Sequence, residues 1–211
     1  MFKGFIFDMD GTLIDNMRYH NQSWFHFFEK HNIPMTQAEL DKIHKGTLLE
    51  MMRTVFGADV PNDELMALGQ QKEALYRETY IPNAIAGLHD FLDILKSNHY
   101  PIALATMGDW HNINFIFNAL DIKHYFDIVV SGSDVTQGKP HPEIFLKAAE
   151  GLGVAPADAL VFEDSMSGFE AAKRANMAAV GLATTHSVED IQDLGLAKVI
   201  TDYINLHEWL F

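Results

Sequence analysis

The stretch FKGFIFDMDGT at residues 2–12 decides the fold. Its first six residues form an apolar and aromatic run that ends at Asp8 and is followed by a Gly11-Thr12 turn. A short continuous apolar run bounded by turn residues is typical of a strand buried on both faces. We therefore predict a buried strand at residues 2–7, which delivers Asp8 and Asp10 at its carboxyl end.

After Pro82 the chain alternates between continuous apolar runs and segments in which apolar residues recur at helical spacing. The apolar runs predict strands at 101–106, 128–131, 159–163, 178–183 and 198–201. The intervening segments predict helices at about 87–97, 110–119, 142–152, 167–175 and 187–194. Strands without polar alternation that take turns with helices indicate a parallel sheet covered on both faces. The predicted fold class is α/β, with a doubly wound parallel-sheet (Rossmann-like) core.

Residues 16–82 interrupt this pattern. Apolar side chains recur there at three- and four-residue spacing, and Pro34, Gly57 with Pro61, and Pro82 divide the stretch. These features predict an inserted all-α cap domain at 16–82. The α/β core then comprises residues 1–15 and 83–211.

Polar residues collect where the predicted strands end, which is the edge at which open parallel sheets bind ligands. They are Asp8, Asp10, Thr106, residues 131–134, Lys139, Glu163 and Asp164. Clustered carboxylates repel one another unless a cation lies among them. Because the chain has no cysteine and its histidines are scattered, the ligands are oxygens, which favours Mg²⁺ as the cofactor.

Four ordered motifs carry a resemblance to a known family. They are FDMDGTLID at 7–15, LATMGD at 104–109, GKPHPEIF at 138–145 and VFEDSMSGFEAAKRA at 161–175. This set resembles the haloacid dehalogenase superfamily, and with the predicted helical cap it is similar to the branch of β-phosphoglucomutase and small phosphatases. The match extends over nearly the whole chain.

The resemblance implies a role for most of the polar residues that follow the predicted strands. Asp8 would attack a phosphoryl group to form an aspartyl-phosphate, and Asp10 would act as general acid and then as general base. Thr106 and the amides of Met107 and Gly108 would bind the transferring phosphate. Lys139 would neutralise charge on Asp8 and the phosphoryl oxygens. The implied metal ligands are Asp8, the Asp10 backbone carbonyl, Glu163 and Asp164, with Glu163 binding directly or through water.

A softer resemblance lies in the predicted cap. DNMRYHNQSW at 15–24 supplies His20 and Trp24, which match a histidine and a tryptophan on the first cap helix of that branch. HKGT at 44–47 resembles a loop that dips towards substrate, so Lys45, Gly46 and Thr47 are predicted to bind substrate. The alternatives are a packing histidine at position 20 and a lysine at position 45 that only satisfies carbonyl groups at a helix end.

The sequence also departs from the mutase pattern. A phosphomutase grips a second phosphate with a cap arginine and with a lysine after the second motif, whereas the corresponding positions here are Leu49 and Asp109 with Trp110. Arg53, one helical turn beyond Leu49, could compensate. We therefore predict a Mg²⁺-dependent phosphatase of a small phosphorylated metabolite, such as a sugar phosphate.

Several alternatives stay open at this point. β-Phosphoglucomutase activity and inorganic pyrophosphatase activity rank next. A haloacid dehalogenase is disfavoured because that activity is associated with a metal-free site, which does not match Asp10, Glu163 and Asp164. A noncatalytic phosphate-binding protein is disfavoured because every expected catalytic residue is present.

Composition limits the partners. The chain of 211 residues has 15 basic and 29 acidic residues, which gives a net charge of 15 − 29 = −14. Such a field repels nucleic acid and anionic lipid, so we predict neither as a partner. The absence of cysteine and of a signal or membrane segment favours the cytoplasm. The sequence leaves the oligomeric state open, and a monomer fits it.

Overall fold

A computed structural model of the protein describes residues 2–43 and 46–211. Six strands form one parallel sheet in the order β3-β2-β1-β4-β5-β6. They are β1 (Gly4–Phe7), β2 (Ile102–Ala105), β3 (Ile128–Val130), β4 (Ala159–Glu163), β5 (Ala178–Leu182) and β6 (Lys198–Ile200). This architecture confirms the predicted α/β, doubly wound fold class.

Within the described residues, four helices follow β1 before the chain returns to the sheet: α1 (Met17–Lys30), α2 (Gln37–Ile43), α3 (Leu48–Phe56) and α4 (Asn62–Thr79). Six more cover the sheet or follow it: α5 (Leu88–Ser97), α6 (Trp110–Leu120), α7 (Glu143–Leu152), α8 (Met166–Arg174), α9 (Val188–Ile191) and α10 (His207–Leu210). Short 3₁₀ helices lie at Lys123–Tyr125, Gly132–Asp134 and Pro156–Asp158.

The predicted boundaries differ from the structure mainly near the carboxyl terminus. The helix predicted at 187–194 was wrong beyond Ile191, because the amide of Leu194 bonds the Ile191 carbonyl in a tighter turn. Gly195, with a φ of 76°, then reverses the chain. Helix α10 was not predicted, since four residues are too few to show a helical period.

The core lies on both faces of the sheet. Phe5 and Phe7 of β1 belong to one apolar cluster, and Ile6 between them belongs to a second cluster on the opposite face. Successive strand side chains point to opposite faces, so an uninterrupted apolar run is what a sheet with two covered faces requires. This burial fixes β1 in the middle of the sheet.

Helices α1 to α4 pack around an apolar cluster of their own, which includes Trp24, Phe27 and Met52. The two connections between these helices and the sheet run side by side, since the amide of Ile85 donates to the Leu13 carbonyl at 3.0 Å. The division into a cap at 16–82 and a core at 1–15 and 83–211 stays a prediction. Within the described residues, no helix is long and apolar enough to cross a membrane.

Candidate active site

Three neighbouring strands bring the candidate residues to one edge of the sheet. Asp8 directly follows β1, Thr106 directly follows β2, and Glu163 is the last residue of β4 with Asp164 next in the chain. Because β2, β1 and β4 are adjacent and parallel, these residues converge, and all four are buried. Lys139, from the segment between β3 and α7, reaches the same edge.

Lys139 links two of the carboxylates. Its Nζ atom donates to Asp8 Oδ1 at 2.6 Å and to Glu163 Oε1 at 2.7 Å, and the side chain is almost fully buried. Burial acts to lower the pKa of Lys139, but the adjacent charges of Asp8 and Glu163 outweigh it and raise that pKa above its usual value. Lys139 therefore carries a positive charge beside Asp8.

The pKa of Asp8 is raised to about 7. Burial is the main cause, and the negative charges of Glu163 and Asp10 add to it, while Lys139 acts in the opposite direction. One nearby ammonium group is therefore not enough to offset the desolvation of Asp8. Additional positive charge near Asp8 would therefore stabilise its ionised form.

Glu163 is held by the backbone that follows it. Its Oε2 atom accepts the amides of Asp164 and Ser165, both at 2.6 Å, while Oε1 faces Lys139. Asp164 accepts a hydrogen bond from the hydroxyl of Thr185 through Oδ2. Burial and the charges of Glu163 and Asp8 raise the pKa of Asp164 well above its usual value.

Asp8, Glu163 and Asp164 form a group that fits a metal ion. Each offers a carboxylate oxygen, and these oxygens all lie within 4.8 Å of one another. Lys139 supplies one positive charge against these three acids, so the buried cluster favours a divalent cation. Carboxylate oxygens are the ligands that Mg²⁺ prefers.

The side chain of Asp10 turns away from this group. Its Oδ1 atom accepts a hydrogen bond from Asn16 Nδ2 at 2.6 Å and lies 3.4 Å from His20 Nε2. Burial acts to raise the pKa of Asp10, but His20, Asn16 and the charge of Lys72 together lower it. The carboxylate of Asp10 is thus set apart from the cluster of three, and its acid–base role stays a prediction.

The predicted cap residues His20 and Trp24 both lie on the buried face of α1. The His20 ring stacks on Tyr76 with centroids 3.9 Å apart, and its Nδ1 atom lies 2.9 Å from Lys72 Nζ. The same ammonium group lies 5.1 Å from the centre of the Trp24 ring. His20 therefore connects Asp10 of the core with Lys72 of α4.

Sequence reasoning missed a polar network between α4 and the beginning of α6. Lys72 donates to Glu73 at 3.0 Å, and Glu73 accepts Asn112 Nδ2 at 2.7 Å. All three side chains are buried. Asn16, which holds Asp10, was also missed. No local signal separates these residues from surface polar groups, because their burial depends on contact between distant segments.

One cavity joins these groups. It has a volume of about 170 Å³ and is lined by most of the predicted site residues, namely Asp8, Asp10, His20, Trp24, Gly46, Thr106, Met107, Gly108, Lys139, Glu163 and Asp164. This volume is below the roughly 300–1,000 Å³ of pockets for drug-sized ligands. The cavity suits a small substrate.

Thr47 and Lys45 differ from the other predicted residues. Thr47 does not line the described part of the cavity, and its hydroxyl instead caps α3 by accepting the Glu50 amide at 3.2 Å. His44 and Lys45 lie outside the described residues, so the substrate-binding role of Lys45 stays a prediction. The hydroxyl of Thr106 accepts the Gly108 amide at 3.0 Å, which orders the predicted phosphate-binding turn.

Arg53 does not compensate for the missing cap arginine. Its guanidinium group donates to the Ala58 carbonyl at 2.8 Å and to Asn62. It does not line the described part of the cavity, whereas Asp109 does. The described cavity therefore shows an acid where the mutase pattern has a cation.

Residues 5–182 match the model of the haloacid dehalogenase-like hydrolase family. The chain belongs to the haloacid dehalogenase-like hydrolases, and the predicted resemblance is confirmed.

Among its relatives, the validoxylamine A 7′-phosphate phosphatase of Streptomyces hygroscopicus subsp. limoneus is 31% identical over 209 residues, which cover 96% of each chain. A phosphorylated carbohydrates phosphatase of Thermotoga maritima is 32% identical over 189 residues, 88% of this chain and 86% of that one. The crystal structure of β-phosphoglucomutase from Clostridium difficile superposes with a TM-score of 0.84 at 26% identity, over 100% of this chain and 96% of that chain. These relatives confirm the predicted enzyme class, a hydrolase of phosphoric esters.

Proposed function

We propose that the protein is a Mg²⁺-dependent phosphatase, which hydrolyses a small phosphorylated metabolite such as a sugar phosphate through an aspartyl-phosphate on Asp8. The observation that carries this proposal is the placement of Asp8 at the end of β1, bonded to buried Lys139 and grouped with Glu163 and Asp164. The phosphatase relatives support it. A cytoplasmic location belongs to the same proposal and rests on the sequence alone.

In the first step, a carboxylate oxygen of Asp8 forms a bond to phosphorus as the bond from phosphorus to the leaving oxygen breaks. Asp10 gives a proton to that leaving oxygen. The lowered pKa of Asp10 leaves it ionised in the free protein. Binding of an anionic phosphate nearby would raise this pKa, because a like charge favours the protonated form.

In the second step, water attacks phosphorus and the bond to Asp8 breaks, which releases phosphate and restores the carboxylate. Asp10 takes the proton from that water. Its position 2.6 Å from Asn16 and 3.4 Å from His20 supports this role, because both neighbours stabilise the ionised form that a base needs.

Mg²⁺ would be held by Asp8, Asp164 and Glu163, together with the Asp10 backbone carbonyl predicted from the family resemblance. When bound, Mg²⁺ supplies positive charge that offsets the charge of the phosphoryl oxygens. Both Glu163 oxygens already accept hydrogen bonds from the chain, which supports a weaker or water-mediated contact from this residue.

The phosphate itself would be bound by the Thr106 hydroxyl, by the backbone amide of Met107, by Lys139, and by the Gly108 amide in place of its present bond to Thr106. Thr106, Met107 and Gly108 directly follow β2 and line the cavity, where a strand-to-helix turn offers amide groups to an anion. Lys139 would stay charged throughout and neutralise the nucleophile and the phosphoryl oxygens in turn.

The leaving group would lie against the helices at 16–82, which we propose act as a closing cap. His20, Trp24 and Gly46 line the cavity from that side, and Lys45 and Thr47 belong to the same proposed binding set. Closure would exclude bulk water from the first step.

β-Phosphoglucomutase activity is the second candidate, favoured by the similarity to the Clostridium difficile structure. The experiment measures turnover of purified protein with Mg²⁺ on a panel of phosphomonoesters and on β-glucose 1-phosphate. We expect release of inorganic phosphate from at least one monoester, and no conversion of β-glucose 1-phosphate to glucose 6-phosphate. Isomerisation without phosphate release would establish the mutase, and turnover of none of these esters would contradict both.

A further inference from the structure

Besides the carboxylate cluster, the cavity has a region lined by Trp24, Met51, Lys72, Glu73, Asp109 and Asn112. We call it the leaving-group region, because the proposed function places there whatever the phosphoryl group is transferred from. The inference about this region therefore rests on the proposed function. It concerns the charge that this region accepts.

Asp109 carries an unbalanced charge in the leaving-group region. Its Oδ1 atom accepts the Asn112 amide at 2.9 Å, and its Oδ2 atom accepts Gln70 Nε2 at 2.5 Å. Both donors are neutral amides, and among the described residues no ion pair is formed by Asp109. The two bonds fix the carboxylate without cancelling its charge.

Lys72 does not balance the negative charge of Asp109. Its ammonium group donates to Glu73 at 3.0 Å and to His20 Nδ1 at 2.9 Å. The charges of Lys72 and Glu73 cancel each other. Asp109 therefore leaves the described lining of this region with a net charge of −1. Arg77, the next cation along α4, is bonded to Asn112 Oδ1 at 2.6 Å and does not line the described cavity.

A second anionic group on a substrate would therefore meet Asp109 and Glu73 with no uncommitted cation among the described lining residues. Hydroxyl and ammonium groups meet no such penalty, because each carboxylate oxygen can accept more than one hydrogen bond. The ring of Trp24 and the side chain of Met51 add an apolar surface that can cover the carbon skeleton of a polyol.

We infer that Asp109 is a specificity-determining residue, which restricts the enzyme to phosphomonoesters whose leaving group is neutral or bears an ammonium group. Bisphosphates and phosphorylated sugar acids whose second anionic group lies beside Asp109 are rejected. The selection acts through charge, and the fixed position of Asp109 at the beginning of α6 makes it local to one end of the substrate.

The test compares kcat/KM, with Mg²⁺, for substrates that differ in one charged group. Fructose 1-phosphate is compared with fructose 1,6-bisphosphate, and glucose 6-phosphate with glucosamine 6-phosphate and 6-phosphogluconate. We expect the anionic member of each set to be at least about tenfold poorer, the effect of ~1.4 kcal/mol. The amino sugar is expected to equal or exceed its neutral counterpart.

Asp109→Asn should reduce this discrimination several-fold, because it removes the charge. Asparagine is also a favoured helix N-cap, so α6 keeps its first turn. The matched control is Asp193→Asn, which makes the same charge change at an exposed position outside the described cavity and should preserve the wild-type ratio.

The outcomes separate the two proposals. Turnover of neutral and anionic members at equal rates would overturn the inference and leave the phosphatase intact. Discrimination that persists unchanged in Asp109→Asn, or that falls equally in Asp193→Asn, would also overturn it. If no ester in either set is hydrolysed, the proposed function fails and the inference fails with it.

Discussion

Asp164 lies directly against the backbone of Gly11. A β-carbon placed on Gly11 would stand 2.0 Å from Asp164 Oδ2, which is far inside van der Waals contact. Gly11 also has a φ of 76°, a conformation that residues with a β-carbon rarely adopt. The turn after β1 and the candidate metal ligand thus fit together only because position 11 has no side chain.

Gly11→Ala should displace Asp164 and lower kcat/KM by about 10²-fold, since misplacement of a site group by about 1 Å can cost that much. Isothermal titration of the metal-free protein with Mg²⁺ should show weaker binding in the same variant. The test thus measures both Mg²⁺ binding and turnover.

Gly153→Ala is the matched control. Gly153 has a φ of 67°, but an added β-carbon there meets nothing within 4 Å. This variant should lose roughly 1–2 kcal/mol of stability from the strained backbone alone and keep its activity and Mg²⁺ affinity. Equal loss of activity in both variants would show that the contact with Asp164 does not matter.

Metal removal should abolish activity. Ca²⁺ should inhibit the restored enzyme, because it is larger than Mg²⁺ and takes more ligands. Asp164→Ala should abolish activity or raise the Mg²⁺ requirement, and Glu163→Ala should do so less severely. Full activity after exhaustive chelation would contradict the metal assignment and favour the metal-free dehalogenase chemistry instead.

The stability of the metal-free protein should depend on pH through Asp164. This carboxyl ionises near 3.8 in the unfolded chain, whereas burial, Glu163 and Asp8 raise its pKa in the folded protein. Its contribution to the free energy of unfolding is therefore fully present below pH 3.8 and is lost as the pH rises towards the folded-state pKa.

Asp164→Asn cannot ionise at this position, so it should lose less stability than wild type between pH of about 4 and neutrality. Urea unfolding of metal-free protein across that range makes the comparison, with exposed Asp193→Asn as the control. Added Mg²⁺ should stabilise wild type more than Asp164→Asn, because a ligand of the folded state stabilises it. Parallel pH curves for wild type and Asp164→Asn would contradict this account of Asp164.

The sequence was sufficient to predict which residues meet at this edge of the sheet. Asp8, Thr106 and the pair Glu163-Asp164 each follow an apolar run, and parallel strands must bring such ends to one edge. The parallel sheet was predicted from the same apolar runs. An uninterrupted run such as residues 4–7 is fully buried only when both faces of the sheet are covered.

The buried polar network of Lys72, Glu73 and Asn112 could not be predicted in this way. Lys72 and Glu73 are adjacent charged residues in a helix rich in charged residues, and they read as solvent-facing. Their burial arises from contact with His20 of α1 and Asn112 of α6, which lie far away in the chain. Helical periodicity defines a face, but it does not say which polar residues on that face meet a partner.

The central claim is that Asp8 is the nucleophile, and Asp8→Asn tests it most directly. The change is nearly isosteric and preserves the fold while removing the charge that attacks phosphorus, so turnover should vanish. Steady-state release of phosphate from the best monoester, with circular dichroism to verify folding, is the measurement. The account predicts turnover below about a thousandth of wild type, since loss of a nucleophile can cost on the order of 10⁶. Turnover above that threshold in a clean preparation would contradict it.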